Sequence, residues 1–191
     1  ECGGIVCQVG TSENYLENCH NYGNISGSYR VGGLVGRSTQ NATAHLTVMR
    51  CSNRGNVTNP GTGNEAVVGG LVGDCSATIT YSYNMGDVDG RANTVAGITA
   101  SGSASYCYNL GTITGGKNTS GARNLTVNGI SSSAPSKCFN AGMVVNYSTG
   151  HAYALSSSGS TDCFNAGDIA ANAGNAYSAN SGTNTYTIGR L

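Results

Sequence analysis

Charge is the scarcest property of this chain. Only 9% of its 191 residues are charged, and nine basic side chains balance nine acidic ones. A formal net charge of zero gives nucleic acid or an anionic membrane surface no electrostatic reason to bind. There is no Trp, and only two Pro and two Phe. No apolar run approaches the ~20 residues that cross a bilayer as a helix, so insertion of a helical span is excluded. No Cys-x-x-Cys pair occurs, and His20, His45 and His151 stand in unrelated contexts, so neither a metal site nor any other cofactor is expected. No stretch has helical periodicity. The chain opens inside a repeat, at Cys2-Gly3-Gly4 with no leader before it, and reads as a mature fragment or a section of something longer.

What is abundant is Gly, with 30 residues, together with Asn, Ser and Thr. These are arranged in two phrases that alternate along the chain. The first is a glycine-rich apolar strand: Cys2-Gly3-Gly4-Ile5-Val6-Cys7, Val31-Gly32-Gly33-Leu34-Val35-Gly36 and Val68-Gly69-Gly70-Leu71-Val72-Gly73. It returns more weakly as Val95-Ala96-Gly97-Ile98, Val127-Asn128-Gly129-Ile130 and Ala152-Tyr153-Ala154-Leu155. The second is Cys-x-Asn-x-Gly-x-Ile/Val, starting at Cys19, Cys51, Ser82, Cys107, Cys138 and Cys163. Its Asn falls at Asn21, Asn53, Asn84, Asn109, Asn140 and Asn165, with gaps of 32, 31, 25, 31 and 25 residues. Fixed phrases at uneven spacing mean fixed strands joined by loops of variable length.

Repetition at this period signals a solenoid, because one repeat cannot bury its apolar face without a neighbour. The expectation is therefore an all-β protein, a parallel β-helix (β-solenoid) of about six coils with three short strands per coil. Residues 1–171 form the repeat body, and residues 172–191 are a degenerate last coil or a cap. The six Asn would stack as an amide ladder, and the Gly two residues later would let the backbone turn. Ile5, Leu34, Leu71, Ile98, Ile130 and Leu155 would form an inward aliphatic column. The segments Arg37 to Arg50, Thr58 to Val67 and Gly115 to Thr126 would bulge as loops.

Five of the eight cysteines, Cys19, Cys51, Cys107, Cys138 and Cys163, share one repeat position. Stacking would set them ~4.8 Å apart, either as a buried ladder of free thiols or as disulfides between rungs, a pairing made awkward by side chains that all point one way. Cys2 and Cys7 could pair locally. The residue after the repeated Cys is His20, Ser52, Tyr83, Tyr108, Phe139 and Phe164. With Cys and Asn inward, strand alternation turns this position outward, so Tyr83, Tyr108, Phe139 and Phe164 form a candidate binding strip for a glycan or for a protein. Arg50, Lys137 and Asp162, two positions earlier, agree with that parity. Leu46 and Val48, which share it, do not.

Catalysis has little to draw on. Asp87 and Asp168 share a repeat position but two coils intervene, ~14 Å at the usual rise, too far for a carboxylate pair. Asp87 with Asp89, and Asp74, read as solvated surface. The Gly-Gly-x-Gly-x-Asp of calcium-binding rolls is absent, and Thr does not track the repeat as an ice-binding array would. Asn-x-Ser/Thr sequons occur at Asn24, Asn41, Asn56, Asn118, Asn124 and Asn146.

Val-Gly-Gly-Leu-Val-Gly followed by a Cys-Tyr-Asn-x-Gly-x-Val-like phrase resembles the GLUG repeat of bacterial surface and secreted proteins, found also in IgA1-peptidase-like proteins. The resemblance spans nearly the whole chain and weakens after the third repeat. It implies a β-solenoid on an extracellular or cell-surface bacterial protein, with an adhesive or stalk role. The zinc domain of the peptidase relatives carries His-Glu-x-x-His, which is absent here. The expected function is thus a non-catalytic structural or adhesive module whose partner is a glycan or a host or cell-surface protein. A fibre subunit stacking end to end is the alternative, and a glycan-active β-helix enzyme the third reading.

Overall fold

Gly, Asn and Ser punctuate this sequence so closely that no strand exceeds nine residues. The computed structural model describes residues 1–10, 12–38, 45–61, 63, 65–91, 93–116 and 125–190. Within them the protein is all-β, with 28 strands and no helix. The chain returns to the same sheets again and again, each time one level further on, and every strand pairing is parallel. We call each level a rung.

The first sheet takes the glycine-rich phrase: Cys2–Gly3, Arg30–Gly32, Val67–Gly69, Thr94–Ala96, Thr126–Asn128, Ala152–Tyr153 and Ala176–Tyr177, in that order. The second contains Val6–Val9, Val35–Ser38, Glu13–Glu17, His45–Met49 and Thr99–Ser105, all held together by the strand Val72–Thr80, and further along the chain Ser160–Thr161 pairs with Gly182–Thr183. The third takes the Cys-x-Asn phrase, from His20–Asn21 through Ser52–Asn53, Tyr83–Asn84, Tyr108–Asn109, Phe139–Asn140 and Phe164–Asn165 to Tyr186–Thr187. The fourth stacks Ile25–Ser26, Val57–Asn59, Val88–Gly90, Ile113–Gly115, Val144–Asn146 and Ile169–Ala171.

The repeats therefore supply three to five strand pieces each, four in the third, fourth and sixth, rather than a uniform three. A fourth piece arises in the third repeat because Val72–Thr80 ends at Thr80 and the chain turns a corner before Tyr83–Asn84. The first and third sheets have seven strands each, since the described part of the tail adds a rung: Ala176–Tyr177 pairs with Ala152–Tyr153, and Tyr186–Thr187 with Phe164–Asn165. Arg37 to Arg50 is not simply a loop, because His45–Met49 pairs along Ala77 to Thr80. Residues 39–44, and 117–124 of the third expected loop, lie outside the described residues.

Inward positions make a sealed core from the second rung to the sixth. Leu34, Leu71, Ile98, Ile130 and Leu155 are completely buried. Ile5 departs from that column's expectation, being 43% exposed. It stands on the first rung and has a neighbour on one side, through Leu34.

A column of six amides runs through this core. Asn21 Nδ2 donates to Asn53 Oδ1, Asn53 to Asn84, Asn84 to Asn109, Asn109 to Asn140 and Asn140 to Asn165, at 2.7 to 2.9 Å. The second N–H of each amide goes to the carbonyl of the Gly two residues on, as from Asn84 to Gly86 at 2.7 Å. Both donors of every interior amide are thus satisfied in a fully buried site, where an unmet one is costly.

Gly is required in these columns for close approach rather than for positive φ. A Cβ on Gly111 would strike the carbonyl of Gly86 on the rung below. A Cβ on Gly70, the second Gly of the glycine-rich phrase, would strike the Gly97 carbonyl and come within 2.6 Å of Asn84 Cγ.

Replacing Asn109 with Ala orphans the Asn84 amide, the Asn140 oxygen and the Gly111 carbonyl together. The expected loss is about 2–4 kcal/mol, measured as a shift in urea midpoint at constant m. Asn109→Asp should cost more at neutral pH, because it buries a charge. A loss below about 1 kcal/mol for both would overturn the ladder's structural role.

Candidate functional site: an outward aromatic face

One backbone feature decides which side chains face outward on the third sheet. Asn18, Arg50, Tyr81, Tyr106, Lys137, Asp162 and Asn184 all have φ between 50° and 53°. Each precedes the Cys, Ser or Thr that opens the second phrase. A left-handed conformation costs a non-glycine residue about 1 kcal/mol, and the next side chain offsets it. Cys51 Sγ donates back to the Met49 carbonyl at 3.2 Å, and Cys107, Cys138 and Cys163 do the same to Ser105, Ser136 and Thr161. Ser82 Oγ makes the equivalent bond to Thr80 at 2.8 Å, and Thr185 to Thr183 at 3.4 Å. The column wants a short side chain with a donor, and Ser82 continues it rather than interrupting it.

The left-handed residue also breaks strand alternation. Leu46 and Val48 are fully buried on one side of it, Cys51 and Asn53 on the other. This removes the conflict that simple alternation produced. Outward of the third sheet stand three columns: the left-handed residue, the residue after Cys, and the residue after Asn.

The middle column is the expected strip. Register pairs Tyr83 with Tyr108, Tyr108 with Phe139, Phe139 with Phe164, and Phe164 with Tyr186. Tyr83 and Tyr108 stack with centroids 4.8 Å apart and planes 4° from parallel. Phe139 and Phe164 stack at 5.6 Å. Tyr108 is 36% exposed, and Tyr83, Phe139 and Phe164 are half-buried.

Of the flanking columns only Arg50, Lys137 and Asp162 were foreseen as outward. Tyr81 and Tyr106 stack at 4.9 Å on one side and are 56% and 44% exposed. Met85 and Leu110 are exposed on the other. Eight of the twelve large apolar side chains exposed among the described residues belong to these three columns. The signal was present as Tyr81-Ser82-Tyr83-Asn84-Met85 and Tyr106-Cys107-Tyr108-Asn109-Leu110.

Two cations edge this patch. Arg54 Nη2 donates to the Tyr83 hydroxyl at 3.0 Å, with its guanidinium 5.5 Å from the Tyr22 ring centroid. Lys137 Nζ donates to the Tyr106 hydroxyl at 2.8 Å and lies 5.0 Å from that ring's centroid. Hydrogen bonds from Ser52 and then Arg54 hold the Tyr83 phenol below its ordinary range.

Other polar groups are engaged with one another. Arg30, 8% exposed, pairs with Glu65 at 3.1 Å and Asp74 at 2.7 Å, and Tyr29 bonds Glu65. Asp74 is therefore no free surface carboxylate; its other oxygen accepts from Ser101 Oγ at 2.8 Å. Asp87 accepts the Thr112 N–H and Asp168 the Arg190 N–H, the job Asn24 and Asn56 do on earlier rungs. A shallow cleft of about 310 Å³ lies beside this column, lined by Asn56, Thr58, Asp87, Val88, Asp89, Thr112 and Thr114. Among the described residues no group of three His, Cys, Asp or Glu is placed to hold a metal ion. Of the sequons, Asn24 and Asn56 are exposed and Asn146 is fully buried, bonding Leu125 and His151. Asn41, Asn118 and Asn124 lie outside the described residues.

No protein-family model, curated protein or solved structure matches this chain.

All eight cysteines are free thiols, Cys2 and Cys7 included. Burial pushes Cys51 and Cys75 above the usual thiol range. The bond shared with Cys107 pushes Cys138 up to about 12 while favouring ionisation of Cys107, and Cys138 together with burial pushes Cys163 up. Native protein should label at once at exposed Cys7 and more slowly at half-buried Cys2 and Cys19, whereas Cys51, Cys75, Cys107, Cys138 and Cys163 should react at the rate of unfolding. Above the ordinary thiol value of 9.0 the unfolded chain loses protons that folded Cys138 keeps, so stability should fall as pH rises from 9 towards 12. Rapid labelling of all eight native thiols, or flat stability across that window, would contradict the buried column.

Proposed function

We propose that this chain is a non-catalytic structural and adhesive module of an extracellular bacterial surface protein, built as a parallel β-helix of six turns and a shorter seventh. In-register parallel pairing through four sheets supports the β-helix. The likeness of Val68 to Gly73 and Cys107 to Ile113 to GLUG repeats supports the surface location. The observation that carries the reading is the outward face of Tyr81, Tyr83, Met85, Tyr106, Tyr108 and Leu110. Contiguous exposed apolar surface at this density marks an interaction site.

A specific observation favours a second reading, end-to-end stacking. Cys2, Val6, Leu16, Cys19 and Ile25 on the first rung are only partly buried, while Val31, Val35, Val48, Cys51 and Val57 in the same columns are sealed. Further strands in the same register, from a second copy or from preceding rungs of a longer chain, would cover them, and sedimentation of the protein distinguishes the two.

The two readings part under mutation. Tyr108→Ser with Phe139→Ser should abolish binding of the labelled protein to bacterial or epithelial cells and leave its far-UV circular dichroism unchanged. Sedimentation of the wild type reads the alternative, where a Pro in the first or last rung should stop assembly by removing a ladder donor. Undiminished cell binding by the folded double variant would sink the adhesive reading.

A further inference from the structure

The aromatic face has a charge pattern that narrows its ligand, an inference that rests on the adhesive reading. From the second to the fifth rung its three outward columns contain no carboxylate and three cations, Arg50, Arg54 and Lys137. Arg50 is neutralised by Glu17 at 2.8 Å. Arg54 and Lys137 enter no ion pair among the described residues. Both are instead held on tyrosine hydroxyls, at 3.0 and 2.8 Å. A phenol oxygen that accepts from a cation has its own O–H left to donate. Because Tyr83 and Tyr108 stack face to face, they turn ring edges towards solvent, and the edge is the positive part of an aromatic quadrupole. Cations, O–H donors and ring edges thus present one sign. Carboxylates stand at the borders and are already engaged: Asp162 accepts from Asn184 at 2.9 Å, and Asp87, past the turn at Gly86, accepts the Thr112 N–H at 2.8 Å.

We propose that this face binds an acidic glycan, a chain of pyranose units bearing carboxylate or sulfate, laid along the stacking direction. The rungs repeat at ~4.8 Å, close to the advance of one pyranose unit in an extended polysaccharide. Successive sugars then meet successive rungs in the same way. An extended peptide advances ~3.4 Å per residue and falls out of step. The anionic groups meet Arg54 and Lys137, the sugar hydroxyls meet the phenols, and the apolar ring faces cover Met85 and Leu110.

Affinity gel electrophoresis with four probes tests this: polygalacturonate, heparin, neutral dextran and polyglutamate. Polygalacturonate or heparin should retard the wild type, in a salt-sensitive manner; retardation by polygalacturonate shows that carboxylate suffices, and retardation by heparin alone shows a need for sulfate. Arg54→Gln with Lys137→Gln should weaken that retardation about tenfold, the loss of two exposed charge-assisted contacts, with circular dichroism unchanged. Equal retardation by dextran, preference for polyglutamate, or a double variant as good as wild type would overturn the proposal. So would no retardation by any probe. Dextran binding that disappears with Tyr108→Ser and Phe139→Ser would overturn the acidic ligand while leaving the adhesive reading standing, and the cell-binding assay judges that reading separately.

Discussion

The structure depends on one constraint: every rung must lie at the spacing set by the parallel backbone bonds, ~4.8 Å, while its side chains stay in register. A buried amide is well suited to that spacing, because an Asn can accept from one neighbour and donate to the next without moving. Asn84 does so between Asn53 and Asn109. Its remaining N–H closes the turn at Gly86. The same amide is packed against Gly70 on the opposite phrase, where any Cβ would collide with it. This explains why the two phrases recur together. They are the two sides of one contact, and changing either breaks the other's packing.

The second dependency is the left-handed corner. It stores a small cost on every rung, and the donor that follows it offsets that cost locally. Cys is a reasonable choice for this job in a tight interior. Its thiol gives a weak bond to the carbonyl, and the sulfur still accepts from the rung below, as from Cys138 N at 3.3 Å to Cys163. A hydroxyl does both more strongly, which is how Ser82 takes the place of a thiol, accepting from Cys51 N at 3.0 Å. The column is better understood as a hydrogen-bond device than as a redox framework.

What could be read from the sequence follows from these two points. The Asn and aliphatic columns were legible because each has one residue type at a fixed offset. The corner was not, since Asn, Arg, Tyr, Lys and Asp all occupy it and no composition marks it. Missing the corner cost the fourth strand piece. The flanking columns were overlooked for another reason: plain alternation already turns Tyr81, Tyr83 and Met85 the same way, but their residue types vary from rung to rung and no repeated letter marks them. The strand His45–Met49 was hidden by its place inside an insertion, although its alternation of inward Leu46 and Val48 is visible afterwards. Ile5 was misjudged for a different reason: a column says nothing about whether a rung has neighbours on both sides.

The placement of irregularity then bears on function. The second sheet is irregular: where Val72–Thr80 pairs with Thr99–Ser105 the register shifts between Asp74 and Thr78. Later it thins to isolated bridges at Ser131 and Ser136, beside Pro135, which has no N–H to give. The connections from the fourth sheet to the first also vary, with Asn59 and Asn146 bracing them through bonds to Tyr29, Val67, Leu125 and His151. The third sheet has no such interruption across its seven strands. Stacked rings at 4.8 and 4.9 Å are possible only where register is kept from rung to rung. A periodic ligand surface needs that same regularity. The apolar face therefore lies on the side of the molecule best able to present one chemical group many times at constant spacing.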